Sequence, residues 1–95
     1  MYDIIEPWRD SNWYFEAGQS MGRKATYMRN GIYHINCILE DPNKVIPWDQ
    51  RKSMKAEIAS LRTALKRIEE AYHIRCADLK AHPVLLSSFK EGYFS

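Results

Sequence analysis

Two nearly identical pentapeptides contain the residues of this chain that are best suited to chemistry. Tyr33-His-Ile-Asn-Cys37 and Tyr72-His-Ile-Arg-Cys76 differ at one position, and each contains a His-x-x-Cys pair. Two histidines and two cysteines are the ligand set of a tetrahedral structural zinc site. The repeat therefore raises a zinc hypothesis whose ligands are His34, Cys37, His73 and Cys76.

The expected local geometry opposes a zinc site. In a regular strand His34 and Cys37 point to opposite faces, and only a bulge would bring them to one ion. The spacing also lacks the Cys-x-x-Cys element of zinc ribbons. We therefore expect no cofactor, with Cys37 a small buried side chain and Cys76 beside a helix seam. A Cys37–Cys76 disulfide is the other alternative, which the reducing interior of a cell disfavours.

The sequence contains no convincing catalytic site. Each cysteine has a histidine three residues before it, but no third group is identifiable that would orient that histidine as a base. The segment Gly18-Gln-Ser-Met-Gly22 is followed by Arg23-Lys24, which does not fit the spacing of a phosphate-binding loop. We expect a protein without enzymatic activity.

The N-terminal half, residues 1–48, is predicted to be rich in strands. Asn30-Gly31 lies between two runs rich in Tyr, Thr, Met and Ile, which is typical of a two-residue hairpin turn. Trp13–Ala17 is aromatic and predicts a preceding strand. These segments predict a short antiparallel β-meander, and hence an α+β fold in a single domain.

Residues 49–82 are predicted to contain one long amphipathic helix, from about Asp49 to Lys80, ended by Pro83. Its apolar residues repeat every three or four positions, as in a coiled coil. They form a seam made of Met54, Ile58, Leu61, Leu65, Ile68 and Tyr72. A helix of about 45 Å is longer than a small sheet can cover, which favours a homodimer. The apolar tail, residues 83–95, could instead fold back over its far end through Phe89 and Tyr93.

Basic side chains are concentrated in the helix, although the net charge of the chain is only +2. Outside the apolar seam they form a surface that could follow a phosphate backbone, together with arginines of the predicted hairpin. This nucleic-acid alternative uses Arg23, Arg29, Arg51, Lys52, Lys55, Arg62, Lys66 and Arg67. The aromatic residues Trp8, Trp13 and Trp48 are candidates for core packing or for contacts with a protein partner.

Length and composition favour an ordinary globular domain. The chain has 95 residues, of which 45% are hydrophobic and 27% charged. No apolar run is long enough to span a bilayer, and the N-terminus lacks the pattern of a signal peptide, so we expect a cytoplasmic protein without membrane contact. The predicted function is a non-enzymatic protein-binding module, an adaptor or an inhibitor by occlusion, that self-associates through the helix seam. Nucleic-acid binding is the alternative, and a zinc-stabilised domain is the third hypothesis.

Overall fold

The computed structural model describes residues 9–95 and contains three α-helices in this part of the chain. Helix α1 spans Ser11–Glu40, α2 spans Trp48–Asp78 and α3 spans Pro83–Tyr93. Residues 9–95 contain no strand. The predicted α+β fold with its N-terminal β-meander is therefore wrong, because the described part of the chain is all-helical. Trp8, one of the candidate aromatic residues, lies outside the described residues.

Helix α1 passes straight through the predicted hairpin turn at Asn30-Gly31. Such a turn needs positive φ at both central residues, and none of the described residues has positive φ. The helix begins after Asp10, whose Oδ1 accepts a hydrogen bond from the backbone N–H of Trp13 at 2.9 Å. Its buried residues follow helical spacing, and most of them are small. They are Tyr14, Gly18, Gly22, Ala25 and Ile35.

A short turn connects α1 to α2, which runs antiparallel to it. In the predicted turn Glu40–Lys44, the Asp41 carboxylate accepts a hydrogen bond from the backbone N–H of Asn43 at 2.9 Å. Just beyond the turn, Arg51 donates a hydrogen bond to the carbonyl oxygen of Leu39. The second helix occupies nearly the range predicted from its heptad pattern, beginning at Trp48 and ending at Asp78.

The third helix packs directly on the N-terminal half of α1, backbone against backbone. A Cβ added to Gly18 would overlap the carbonyl oxygen of Phe89, and one added to Gly22 would overlap that of Tyr93. From the other side, a Cβ on Gly92 would overlap the carbonyl oxygen of Phe15. The two helices can approach this closely only because all three positions are glycine.

The predicted apolar tail forms α3, which packs mainly on α1 and meets α2 through a few aromatic residues, whereas the intramolecular alternative expected it to cover the far end of α2. The Tyr72 ring stacks on Tyr93 at a centroid distance of 3.9 Å and on Phe89 at 5.5 Å. Leu79, the first residue after α2, is fully buried in the same cluster. Burial, followed by a hydrogen bond with the Cys76 side chain, raises the pKa of Tyr72 to about 12. This aromatic cluster is the centre of the core.

We expect Gly18→Ala and Gly92→Ala each to destabilise the protein by about 2–3 kcal/mol, because the added methyl group would push α1 and α3 apart. Gly31→Ala is the matched control, since its added Cβ would lie 3.2 Å from only the flexible end of Leu61. Helix propensity favours that change by up to about 1 kcal/mol, so its net effect should be small. Urea unfolding followed by circular dichroism measures all three, and equal effects would contradict the backbone contact.

The raised pKa of Tyr72 predicts a loss of stability at alkaline pH. The folded state keeps the phenol protonated, whereas in the unfolded chain it ionises near its ordinary value of 10. Stability should therefore be complete below pH 10 and fall as the pH rises toward 12, by up to about 3 kcal/mol from this group. Urea unfolding between pH 9 and 11 should show a smaller fall for Tyr72→Phe. Tyr27→Phe, at an exposed site, should behave as the unmodified protein does.

Candidate interaction surface

Both pentapeptides are helical, and each places its tyrosine four residues before its cysteine. A hydrogen bond with the Cys37 side chain raises the pKa of the exposed Tyr33, and Tyr72 pairs with Cys76 four residues later in the same way. In a helix, residues four apart lie on one face, which explains the repeat of this contact. Both cysteines are free thiols, so the Cys37–Cys76 disulfide does not form in this structure.

The structure does not bring the four proposed zinc ligands together. His34 and Glu57 of α2 line the same groove. His73 lies 16 residues farther along α2 than Glu57, so the two histidines are separated by about 24 Å along the helix pair. Within residues 9–95 there is no group of three or more His, Cys, Asp or Glu side chains placed to hold a metal ion. The helical conformation of α1 would allow His34 and Cys37 to share a face. However, His73 and Cys76 lie near the far end of α2.

The seam predicted on α2 divides between two environments. Ile58, Tyr72 and Leu79 are buried, and Leu65 lies at the same heptad position and packs against the core. The other heptad position is only half-buried. It contains Met54, Leu61 and Ile68. Ile68, like Leu65, also packs against the core cluster, so this half-buried edge is covered on its inner side and partly open to solvent on the other.

Two open grooves between α1 and α2 follow this half-buried edge, and together they form what we call the groove face. The first groove is lined by Ala17, Met21 and Lys24 of α1 and by Arg67, Ile68 and Ala71 of α2. The second lies nearer the turn and is lined by Tyr27, Gly31 and His34 of α1 and by Glu57 and Leu61 of α2. The groove face thus combines apolar residues with a few charges.

Helix α3 lies on the other side of α1 from the groove face. At about 100° per residue, Gly18 and Gly22, which contact α3, are turned about 120–160° from Ser20 and Lys24, which line the first groove. Neither groove is lined by any residue of α3. Among residues 9–95, nothing covers the groove face.

The basic residues of the nucleic-acid alternative do not form one surface. Arg67 lies on the groove face, and Arg29 forms an ion pair with Glu69 at 3.2 Å. Arg23 is turned about 120° around α1 from Arg29. Four of the eight share one side of α2, because their spacing places them within about 60° of one another. These four are Arg51, Lys55, Arg62 and Lys66.

Trp48, at the start of α2, is 74% exposed and lies beside part of this basic side. The Lys52 ammonium is 5.4 Å from its ring centroid, and Arg51 and Lys55 line the same shallow cleft. Trp13 is partly exposed at the opposite end of the molecule, with the Arg9 guanidinium 4.7 Å from its ring centroid. The two aromatic candidates that the structure describes are therefore not part of one surface.

The α1 half of the groove face is not predicted from the sequence, because its residues fall in the predicted strands, their connection and the hairpin turn. A heptad signal was nevertheless present. Met21, Met28 and Ile35 are apolar and seven residues apart. Two helices with heptad spacing, joined by a short turn, predict a helical hairpin.

Comparison with known proteins leaves the physical features of the chain as the only guide to its function. No family model, curated protein or solved structure matches it. None of the helices in residues 9–95 has an apolar stretch long enough to cross a bilayer.

Proposed function

We propose that this chain is a non-enzymatic protein-binding module that self-associates through its groove face. The observation that carries the proposal is the half-buried edge of the α2 seam, where Leu61 and Ile68 border open grooves. Partly exposed apolar side chains in a continuous face are typical of a surface that another protein covers. The module would act as an adaptor, or as an inhibitor that occludes the surface it binds.

The size of the groove face supports self-association. Two helices of about 30 residues extend for about 45 Å, and side by side they are about 20 Å wide. This whole side of the α1–α2 pair therefore has an area of about 900 Å², close to the roughly 800 Å² that each partner buries in a standard protein interface. The two grooves occupy about 25 Å of its length.

The groove face is also suited to packing against another helical layer. It includes small residues in both grooves, Ala17 and Ala71 in the first and Gly31 in the second. Small residues let helices approach closely, while Met21, Leu61 and Ile68 supply larger side chains to interdigitate. A second hairpin packed on this face would complete a four-helix arrangement.

We expect Leu61→Glu to convert a dimer to a monomer, because it places a charge in the second groove and would bury that charge in the interface. Sedimentation velocity measures the change, and circular dichroism should show that the helices remain. The matched control is Val84→Glu, at a site on α3 that is 69% exposed and lines neither groove.

The variant Leu65→Glu distinguishes an effect on the core from an effect on the proposed interface. Leu65 packs against the buried cluster, so the same charge there should lower the free energy of unfolding itself. If Leu61→Glu leaves the sedimentation of the protein unchanged, self-association through the groove face is wrong.

Nucleic-acid binding is a second candidate, favoured by the basic side of α2. Lys55, Arg62 and Lys66 are exposed, and none of them forms an ion pair within residues 9–95. They lie about 140–180° around α2 from Glu57 and therefore outside the groove face. Positive charges spaced along about 22 Å of helix, with Trp48 at one end, are suited to phosphates and a stacked base.

If this candidate is right, Arg62→Glu combined with Lys66→Glu should weaken binding to a single-stranded oligonucleotide by at least about tenfold in fluorescence anisotropy. Binding by the unmodified protein should also fall steeply with salt, because phosphate contacts release counterions. Lys80→Glu combined with Lys90→Glu makes the same charge change away from this side and serves as the control. If the affinity for the oligonucleotide depends neither on salt nor on the Arg62 and Lys66 substitutions, nucleic-acid binding through this side is excluded.

A further inference from the structure

We propose that the groove face binds a second copy of this chain in one orientation, with each helix antiparallel to its own copy. This inference rests on the proposed self-association and adds its geometry. The two-fold axis would lie in the interface and cross the helices at right angles, so that α2 packs on α2 and α1 on α1. Glu57 of each subunit would then face Arg67 of the partner subunit.

The charges of the two grooves carry this inference. The two charged residues that line the first groove, Lys24 and Arg67, are both cationic. In the second groove the charged residue is Glu57, accompanied by His34. The grooves are therefore complementary to each other in charge, and they lie at different heights along the helix pair.

Only one of the two ways of stacking identical faces uses this complementarity. A two-fold axis parallel to the helices keeps every residue at the same height, so Lys24 and Arg67 of both subunits would meet. Like charges brought together oppose association. An axis perpendicular to the helices exchanges the heights, and the cationic groove of each subunit meets the anionic groove of its partner.

The residues near the proposed axis are compatible with close packing. The axis crosses α2 midway between Glu57 and Arg67, at residue 62, which is the mean of the two numbers. Leu61 lies beside this height in the second groove, with Gly31 of α1 against it. Helical spacing places Ala64 on the same side of α2. The central contact would thus contain apolar and small residues, with the charges toward its ends. This is the usual arrangement of a protein interface.

Charge reversal tests the pairing directly. Glu57→Lys and Arg67→Glu should each raise the dimer Kd by about 10- to 100-fold, because each places like charges opposite one another twice in the symmetric dimer. The double variant restores opposite charges and should return the Kd to within about threefold of the unmodified value. Glu70→Lys, at an exposed position that lines neither groove, should have little effect. Sedimentation equilibrium in low salt gives these constants.

Crosslinking provides a second measurement that does not depend on charge. In a background with Cys37→Ser and Cys76→Ser, Ala64→Cys should be joined to its counterpart by a short bismaleimide, since the two sites lie about 6 Å apart along the helices. Ala71→Cys should not react in this way, because its two copies would be about 27 Å apart. The arrangement with a parallel axis predicts equal crosslinking at both positions.

The outcomes separate this inference from the proposed function. A protein that is monomeric at all concentrations overturns both. A dimer whose Kd is unaffected by the single reversals, or is not restored in the double variant, overturns the antiparallel arrangement and leaves self-association standing. Rescue by the double variant, together with crosslinking at position 64 but not at position 71, supports the arrangement.

Discussion

The backbone contact between α1 and α3 determines the arrangement of the rest of the molecule. Gly18, Gly22 and Gly92 let the two helices meet without intervening side chains. This closeness brings Phe89 and Tyr93 onto the ring of Tyr72, and so it joins all three helices in one aromatic cluster. Glycine destabilises a helix by about 1 kcal/mol relative to alanine, so the packing of α3 on α1 must offset this cost at each of these positions.

The position of α3 also determines what stays exposed. With 11 residues, it extends for about 16 Å along a helix pair roughly three times as long. It packs on one side of that pair, near the chain ends, and the groove face lies on the other side. The described residues extend over 55 × 28 × 15 Å, a shape too thin to bury both sides of the α1–α2 layer. Apolar residues on the open side are therefore only half-buried.

The difference between the predicted and observed folds comes from how glycine was interpreted. The heptad pattern of α2 correctly indicated a helix, because its periodic residues are large and apolar. In α1 the buried positions include Gly18, Gly22 and Ala25, which have little or no side chain to register in a hydrophobic pattern. The pair Asn30-Gly31 predicts a turn with positive φ, whereas in the structure Gly31 is part of a helix and its φ is not positive. The glycines that allow close packing are determined by contact with α3, which is about 70 residues away in sequence. Local sequence patterns therefore could not identify them.

The seam of α2 also shows how one sequence pattern can serve two interfaces. A heptad has two apolar positions, and here they differ in what they contact. Ile58, Leu65, Tyr72 and Leu79 occupy the position turned toward the core, whereas Met54, Leu61 and Ile68 occupy the position at the open edge. The second set has no full partner within residues 9–95, and its regular continuation along the groove face is the reason to expect that another chain completes the packing.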